Sequence, residues 1–287
     1  MSIDVLQDKI RKLKNPSFVL LDARMQDVPR CVTGDPCQAY TTFSQNLMDA
    51  LKEIVPGIRF SFSGFSMLGD AGVLTLCQLM QYAKKLGFYV LLDLPEMYSQ
   101  LAAENIAGIF ARNDRFDCDG FIMSSYYGSD IIRPFLPLCK EGKSLFCVVR
   151  TANKSATEIQ DLLTGARLVH TAVADVVNRY AQAVTGKSGY FGIGAVAAAS
   201  SADSLRNLRA KYKGLFLLLD GYDYPNSNAK NCSYAFDPFG HGAALCAGTS
   251  ITAAWREAET DGEDYAQQAL ESAQRMKKNI TRYITVL

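Results

Sequence analysis

The fold class this chain of 287 residues predicts is an α/β (β/α)8 barrel of the TIM type. Three observations carry it: eight short apolar runs, a helix-capable stretch after each, and no linker rich in Pro, Gly or Ser to divide the chain. The runs are SFVLLD (17–22), GIRFSF (57–62), FYVLLD (88–93), DGFIMS (119–124), SLFCVVR (144–150), SGYFGIG (188–194), GLFLLLD (214–220) and AALCAGT (243–249). Their hydrophobicity is nearly continuous rather than alternating, as strands buried on both faces of a parallel sheet require. The expectation is one domain over residues 1–287, opened by a helix. A doubly wound open sheet is the alternative, because strand order is not written in sequence.

The elements between the runs have helical spacing. Residues 39–55 place Phe43, Leu47, Ala50, Leu51 and Ile54 on one face. Residues 71–87 end in two lysines and Gly87, a helix stop. Residues 155–184 read as one long helix or two joined ones, and 261–284 begin acidic and end basic, as the helix dipole prefers. The opening stretch, MSIDVLQDKIRKLKNP, spreads charges at helical spacing and has no apolar core, so it does not read as a signal peptide. In GYFGIGAV the spaced glycines fail the dinucleotide fingerprint and read as a strand and its exit loop.

Composition narrows the function classes. Thirty basic residues against 29 acidic ones offer no electrostatic argument for nucleic acid or an anionic membrane. No run approaches the roughly 18 apolar residues that span a bilayer. The eight cysteines are scattered without a CxxC pair, which suits small buried hydrophobes in a reducing cytosol. His170 and His241 have no metal-ligand spacing and read as structural or surface residues.

Candidate site residues lie where strands end, since a barrel of this type places its chemistry there. Asp22, Asp93 and Asp220 each close an apolar run. With Asp223 they could offer hard oxygen ligands to a divalent metal, or simply cap loops; the second is the preferred expectation, with no metal assigned.

Four segments run in order along the chain: the opening through LKNPSFVLLDARMQDVP, then DALKEIVPGIRFSFSGFSMLGDAG, YYGSDIIRPFLPLCKEGKSLFCVVRTANKSATEIQDL and FLLLDGYDYPNSNAK. In order and spacing, from end to end, they resemble the orotidine 5′-phosphate decarboxylases of the longer bacterial type. The resemblance implies a TIM barrel of the pyrimidine-biosynthesis family: a cytoplasmic homodimer with mouths against the interface, a pyrimidine nucleotide as ligand and no cofactor.

Carried over position by position, the family's machinery is mostly replaced. Its Asp-x-Lys-x-x-Asp motif falls on Asp93-Leu94-Pro95-Glu96-Met97-Tyr98, so proline stands for the lysine that protonates carbon, and tyrosine for the last aspartate. Arg59 falls on the second-strand lysine and Asp22 on the ribose-binding aspartate. Thr151 and Asn153 match a Thr-Ser-Asn element in which Ala152 replaces the serine. At the phosphate end, Pro225 and Thr249 stand for a glutamine and an arginine. The expected function is a family member that has lost its chemistry and is kept for ligand binding or assembly. The alternatives are a working decarboxylase with a rearranged site, in which Arg59, Asp93, Asp22 and a remote cation such as Lys143 would act, and a different lyase or metal-dependent reaction on the same barrel.

Overall fold

A computed structural model describes residues 2–112, 114–258 and 261–287. Eight parallel strands close a barrel: β1 Ser17–Leu21, β2 Gly57–Ser61, β3 Tyr89–Asp93, β4 Gly120–Ser124, β5 Ser144–Val148, β6 Ile193–Ala198, β7 Leu217–Asp220 and β8 Ala243–Ala247. Each strand pairs with its neighbours in sequence, and β8 returns to β1 through the register Ser17↔Leu245. Closure excludes the open-sheet alternative.

The strands form because their side chains are buried on both sides. Ile58 and Phe60 of β2 are fully buried, as are Val90 and Leu91 of β3. Helices Pro36–Leu51, Gly69–Lys85, Gln100–Phe110, Val169–Ala181, Ala202–Lys211 and Tyr265–Ile280 surround them. The first is well started: Asp35 accepts from the amides of Cys37 and Gln38, Gln38 answers it, and Pro36 needs no donor. The opening helix, Ser2–Leu13, buries Ile3, Leu6 and Ile10 and closes the lower end of the barrel. There the Ser2 hydroxyl lies 2.7 Å from the Tyr89 hydroxyl at the foot of β3. With that end plugged, the strand C-termini are the open mouth.

Two expectations are corrected. The sixth strand is Ile193–Ala198, not 188–194, so Gly192 leads into it and Gly194 is its second residue, and neither forms an exit loop. Gly194 is required by close approach: a Cβ there would meet the Phe216 carbonyl at 2.5 Å and the Phe146 ring at 2.8 Å. Residues 155–184 are not one helix or two joined ones. A 3-10 turn, Lys154–Glu158, is followed by a small hairpin, Leu163–Thr164 against Arg167–Leu168, and only then by the helix at Val169. The break is at Gly165, whose φ of +64° turns the hairpin.

Six of the eight free cysteines are buried, whereas Cys37 is half-buried and Cys31 exposed. His170 is buried, with Nδ1 3.2 Å from Asp161, and His241 Nε2 lies 2.8 Å from the Leu287 carbonyl. Both do structural work. Among the described residues no helix is long and apolar enough to cross a membrane.

Candidate functional site

At the mouth the side chains are arranged around one buried cation. Arg59 sits mid-strand in β2, and the period of two turns it into the barrel while Ile58 and Phe60 face the helices. Its Nε donates to both oxygens of Asp93, at 2.8 and 3.0 Å, and its Nη2 lies 2.8 Å from Asp93 Oδ2. Its Nη1 donates to Asp220 Oδ1 at 2.8 Å, from the far side of the barrel. Strands β2, β3 and β7 are thereby joined through one guanidinium. Burial alone would lower the Arg59 pKa, but Asp220 and Asp93 lift it well above its ordinary value. Burial raises the Asp93 carboxyl, and the opposing pull of Arg59 does not fully cancel that.

Asp22 follows β1 directly and is positioned by a strained neighbour. Ala23 holds φ +58°, a left-handed conformation that costs a non-glycine residue about 1–3 kcal/mol. The Ala23 amide donates to the hydroxyl of the fully buried Tyr40 at 3.1 Å, which fixes the turn. Burial raises the Asp22 carboxyl, Arg24 opposes this and Asp27 adds to it. A carboxyl raised on folding favours the folded state at acid pH, and that contribution is lost as pH rises through the raised value. Asp22→Asn is therefore expected to raise the melting midpoint at pH 7 and to leave it nearly unchanged below the ordinary carboxylate range. A lower midpoint at pH 7 would show that the ionised carboxylate stabilises the fold.

The open space is a cavity of about 320 Å3 lined by Asp22, Arg24, Asp220, Asp223, Tyr224 and Cys246, with Leu20, Gly221 and 247–249 completing the wall. Its size is at the lower end of small-molecule sites. The wall carries three carboxylates and one guanidinium, and Arg24 Nε is itself 3.5 Å from Asp27. Burial pushes the Cys246 thiol up to about 12, so it stays protonated at neutral pH and is no nucleophile. Gly221, at φ +76°, lets the loop after β5 close in: a Cβ there would strike the Ala152 Cβ at 2.2 Å.

Of the residues predicted from sequence, Asp22 and Asp220 line this cavity, and Arg59 with Asp93 lies behind Asp220. Thr151 and Asn153 do not line it. The Thr151 hydroxyl accepts from Gln160 Nε2 at 2.8 Å, and Asn153 Nδ2 donates to Ser155 at 3.1 Å, so both spend bonds within their own loop. Lys143 cannot swing in as a remote cation: it sits at the foot of β5, bound to the Cys118 carbonyl ahead of β4. The divalent-metal arrangement is also absent, since among the described residues no group of three or more His, Cys, Asp or Glu is placed to hold an ion. Asp93 and Asp220 face Arg59 instead. Sequence reasoning missed Arg24, Gly248 and Ser250; a strand-end rule reaches only the last residue of a strand, and these lie beyond it.

The chain is 26% identical over 268 residues to orotidine 5′-phosphate decarboxylase of Rhodopirellula baltica, covering 88% of this chain and 89% of that one. It is 27% identical over 287 residues to orotidine 5′-phosphate decarboxylase of Clostridium acetobutylicum, covering 98% and 99%. No family model matches it. Among solved structures, Leishmania donovani OMP decarboxylase shares the fold with a TM-score of 0.73 at 20% identity, covering 96% of this chain and 99% of that one.

Proposed function

We propose that this chain, a homologue of the orotidine 5′-phosphate decarboxylases along nearly its whole length, is a member of that family that no longer decarboxylates and is kept for binding a small molecule or for assembly. The observation that carries the reading is the state of Arg59. Losing carbon dioxide leaves a carbon that must take up a proton, so the reaction needs an acid at the mouth. A guanidinium is a poor acid, and this one is spent on two carboxylates. Among the described residues no lysine lines the cavity. After β3 the chain supplies buried Leu94, half-buried Pro95, exposed Glu96 and buried Met97, none of them cationic.

In this reading Asp22 and Asp220 hold hydroxyl groups of a pyrimidine-bearing ligand, and the protein works as a cytoplasmic homodimer. Support for the dimer comes from Met67, Tyr98, Leu101 and Tyr127, exposed apolar residues on or just beyond the loops after β2, β3 and β4. Tyr98 and Tyr127 stack edge-on with ring centres 5.6 Å apart, which gives this surface a rigid aromatic element.

The test is direct. Purified protein at high concentration with orotidine monophosphate should form no uridine monophosphate above the uncatalysed background. Product that scales with protein concentration and survives repurification would sink the reading and leave a working enzyme with a rearranged site.

A further inference from the structure

We infer that Asp223 is a built-in anion that fills the anion-accepting corner of the cavity, so that the cavity takes a neutral or cationic hydroxyl-bearing ligand and not a phosphate ester. Barrels of this class frequently hold phosphate with the loops after their seventh and eighth strands. Here the loop after β7 carries Asp223, and the loop after β8 turns its donors onto it. The Gly248 amide donates to Asp223 Oδ2 at 2.6 Å, and the Ser250 hydroxyl donates to Oδ1. A bidentate anion is therefore already seated, and it belongs to the chain.

The rest of the wall reinforces this. An incoming phosphate would displace Asp223 and still face Asp22 and Asp220. Of the two cations nearby, Arg59 is taken by Asp93 and Asp220, while Arg24, with Nε 3.5 Å from Asp27 and no hydrogen bond made there, sets one positive charge against the three carboxylates of the wall. Hydroxyl or amine donors meet the opposite situation, because each of the three carboxylates retains acceptor capacity toward them. The Tyr224 ring, half exposed at the rim, adds an apolar face for a flat or cyclic body. Identifying that body as a pyrimidine nucleoside rests on the function proposed above; the exclusion of phosphate does not.

The experiment compares wild type, Asp223→Ser and Asp223→Asn by thermal melting with inorganic phosphate, using sodium chloride at matched ionic strength as the control. Wild type should show no saturable phosphate shift. Asp223→Ser, which clears the corner, should gain one, with phosphate affinity higher by about tenfold or more. Asp223→Asn, which removes the charge but keeps an acceptor in place, should fall between. A saturable shift in wild type as large as in Asp223→Ser overturns the inference, as does a folded Asp223→Ser without any gain. The wild-type arm and the Asn variant decide the matter if the serine variant does not fold. Uridine in the same assay separates the two ideas. If it shifts no form of the protein, the pyrimidine reading fails, while the phosphate comparison still decides the role of Asp223.

Discussion

Arg59→Ala is expected to lower the unfolding free energy by about 3–5 kcal/mol, the usual cost of removing one partner from a buried ion pair. The alanine leaves two carboxylates, Asp93 and Asp220, in a barrel mouth where their shared guanidinium was nine-tenths buried. Burial already raises the Asp93 carboxyl with the arginine present. Without it, nothing opposes the rise that burial imposes on Asp93. Such a group favours the folded state at acid pH and ceases to do so as pH rises through the raised value. The deficit of the variant should therefore be largest near pH 7 and shrink toward pH 4. Urea titrations across that range measure both features. A loss below about 1 kcal/mol at pH 7 would mean that water takes over the role of the guanidinium. Asp93→Asn combined with Arg59→Met should recover part of the loss, because breaking a buried pair costs more than replacing it.

Arg209→Ala is expected to cost about 3–4 kcal/mol although it removes no salt bridge. The side chain lies on the helix Ala202–Lys211 and donates to the carbonyls of Ala235 at 2.7 Å, Gly242 at 2.7 Å, Leu215 at 3.0 Å and Lys213 at 3.1 Å. These carbonyls belong to the segments that lead into β7 and β8. Burial lowers the Arg209 pKa, which marks a charge held against desolvation chiefly by neutral carbonyl oxygens, with the Tyr190 ring 5.7 Å away and Asp237 opposing the shift. Arg209→Lys should restore only part of the stability, since an ammonium cannot fork across four acceptors. Arg206→Ala, three residues earlier on the exposed face of the same helix, is the control and should lose far less. Equal losses at the two positions would show that the helix depends on its surface charges rather than on the carbonyl hub.

How far the sequence reveals this molecule depends on the range over which each feature is encoded. Seven strands lie within a few residues of their apolar runs because a run such as FYVLLD is apolar in a way only burial on both faces explains. The sixth lies further on because half of Ile193–Ala198 is alanine, leaving Ile193 and Val196 as its strand formers, while the aromatic pair just before it carries the stronger strand signal. Those aromatics serve the lower end of the barrel: Tyr190 donates to Asp237 at 2.7 Å, and Phe191 packs where Gly214 leaves room. Asp22, Asp93 and Asp220 were legible from their position at strand ends. The link from Arg59 to Asp220 was not, because no sequence spacing records that β2 and β7 meet across a closed barrel. Arg209 reads as one more basic residue on an amphipathic helix until the carbonyls around it are seen. The Asp223 contact depends on how two irregular loops fold back, which periodicity does not reach.

The shared guanidinium also constrains how this sequence can drift. Three positions, on strands separated by up to 161 residues, share one network of a guanidinium and two carboxylates. Losing Arg59 strands both acids, and losing Asp93 removes the two-oxygen partner of a buried cation, so either single step passes through a weakened intermediate. Arg59 and Asp93 are therefore expected to change together or not at all, while Asp220, the outer and more exposed partner, is freer to change. A chain of this kind could adapt to a new ligand many times without recovering a free cation at its centre.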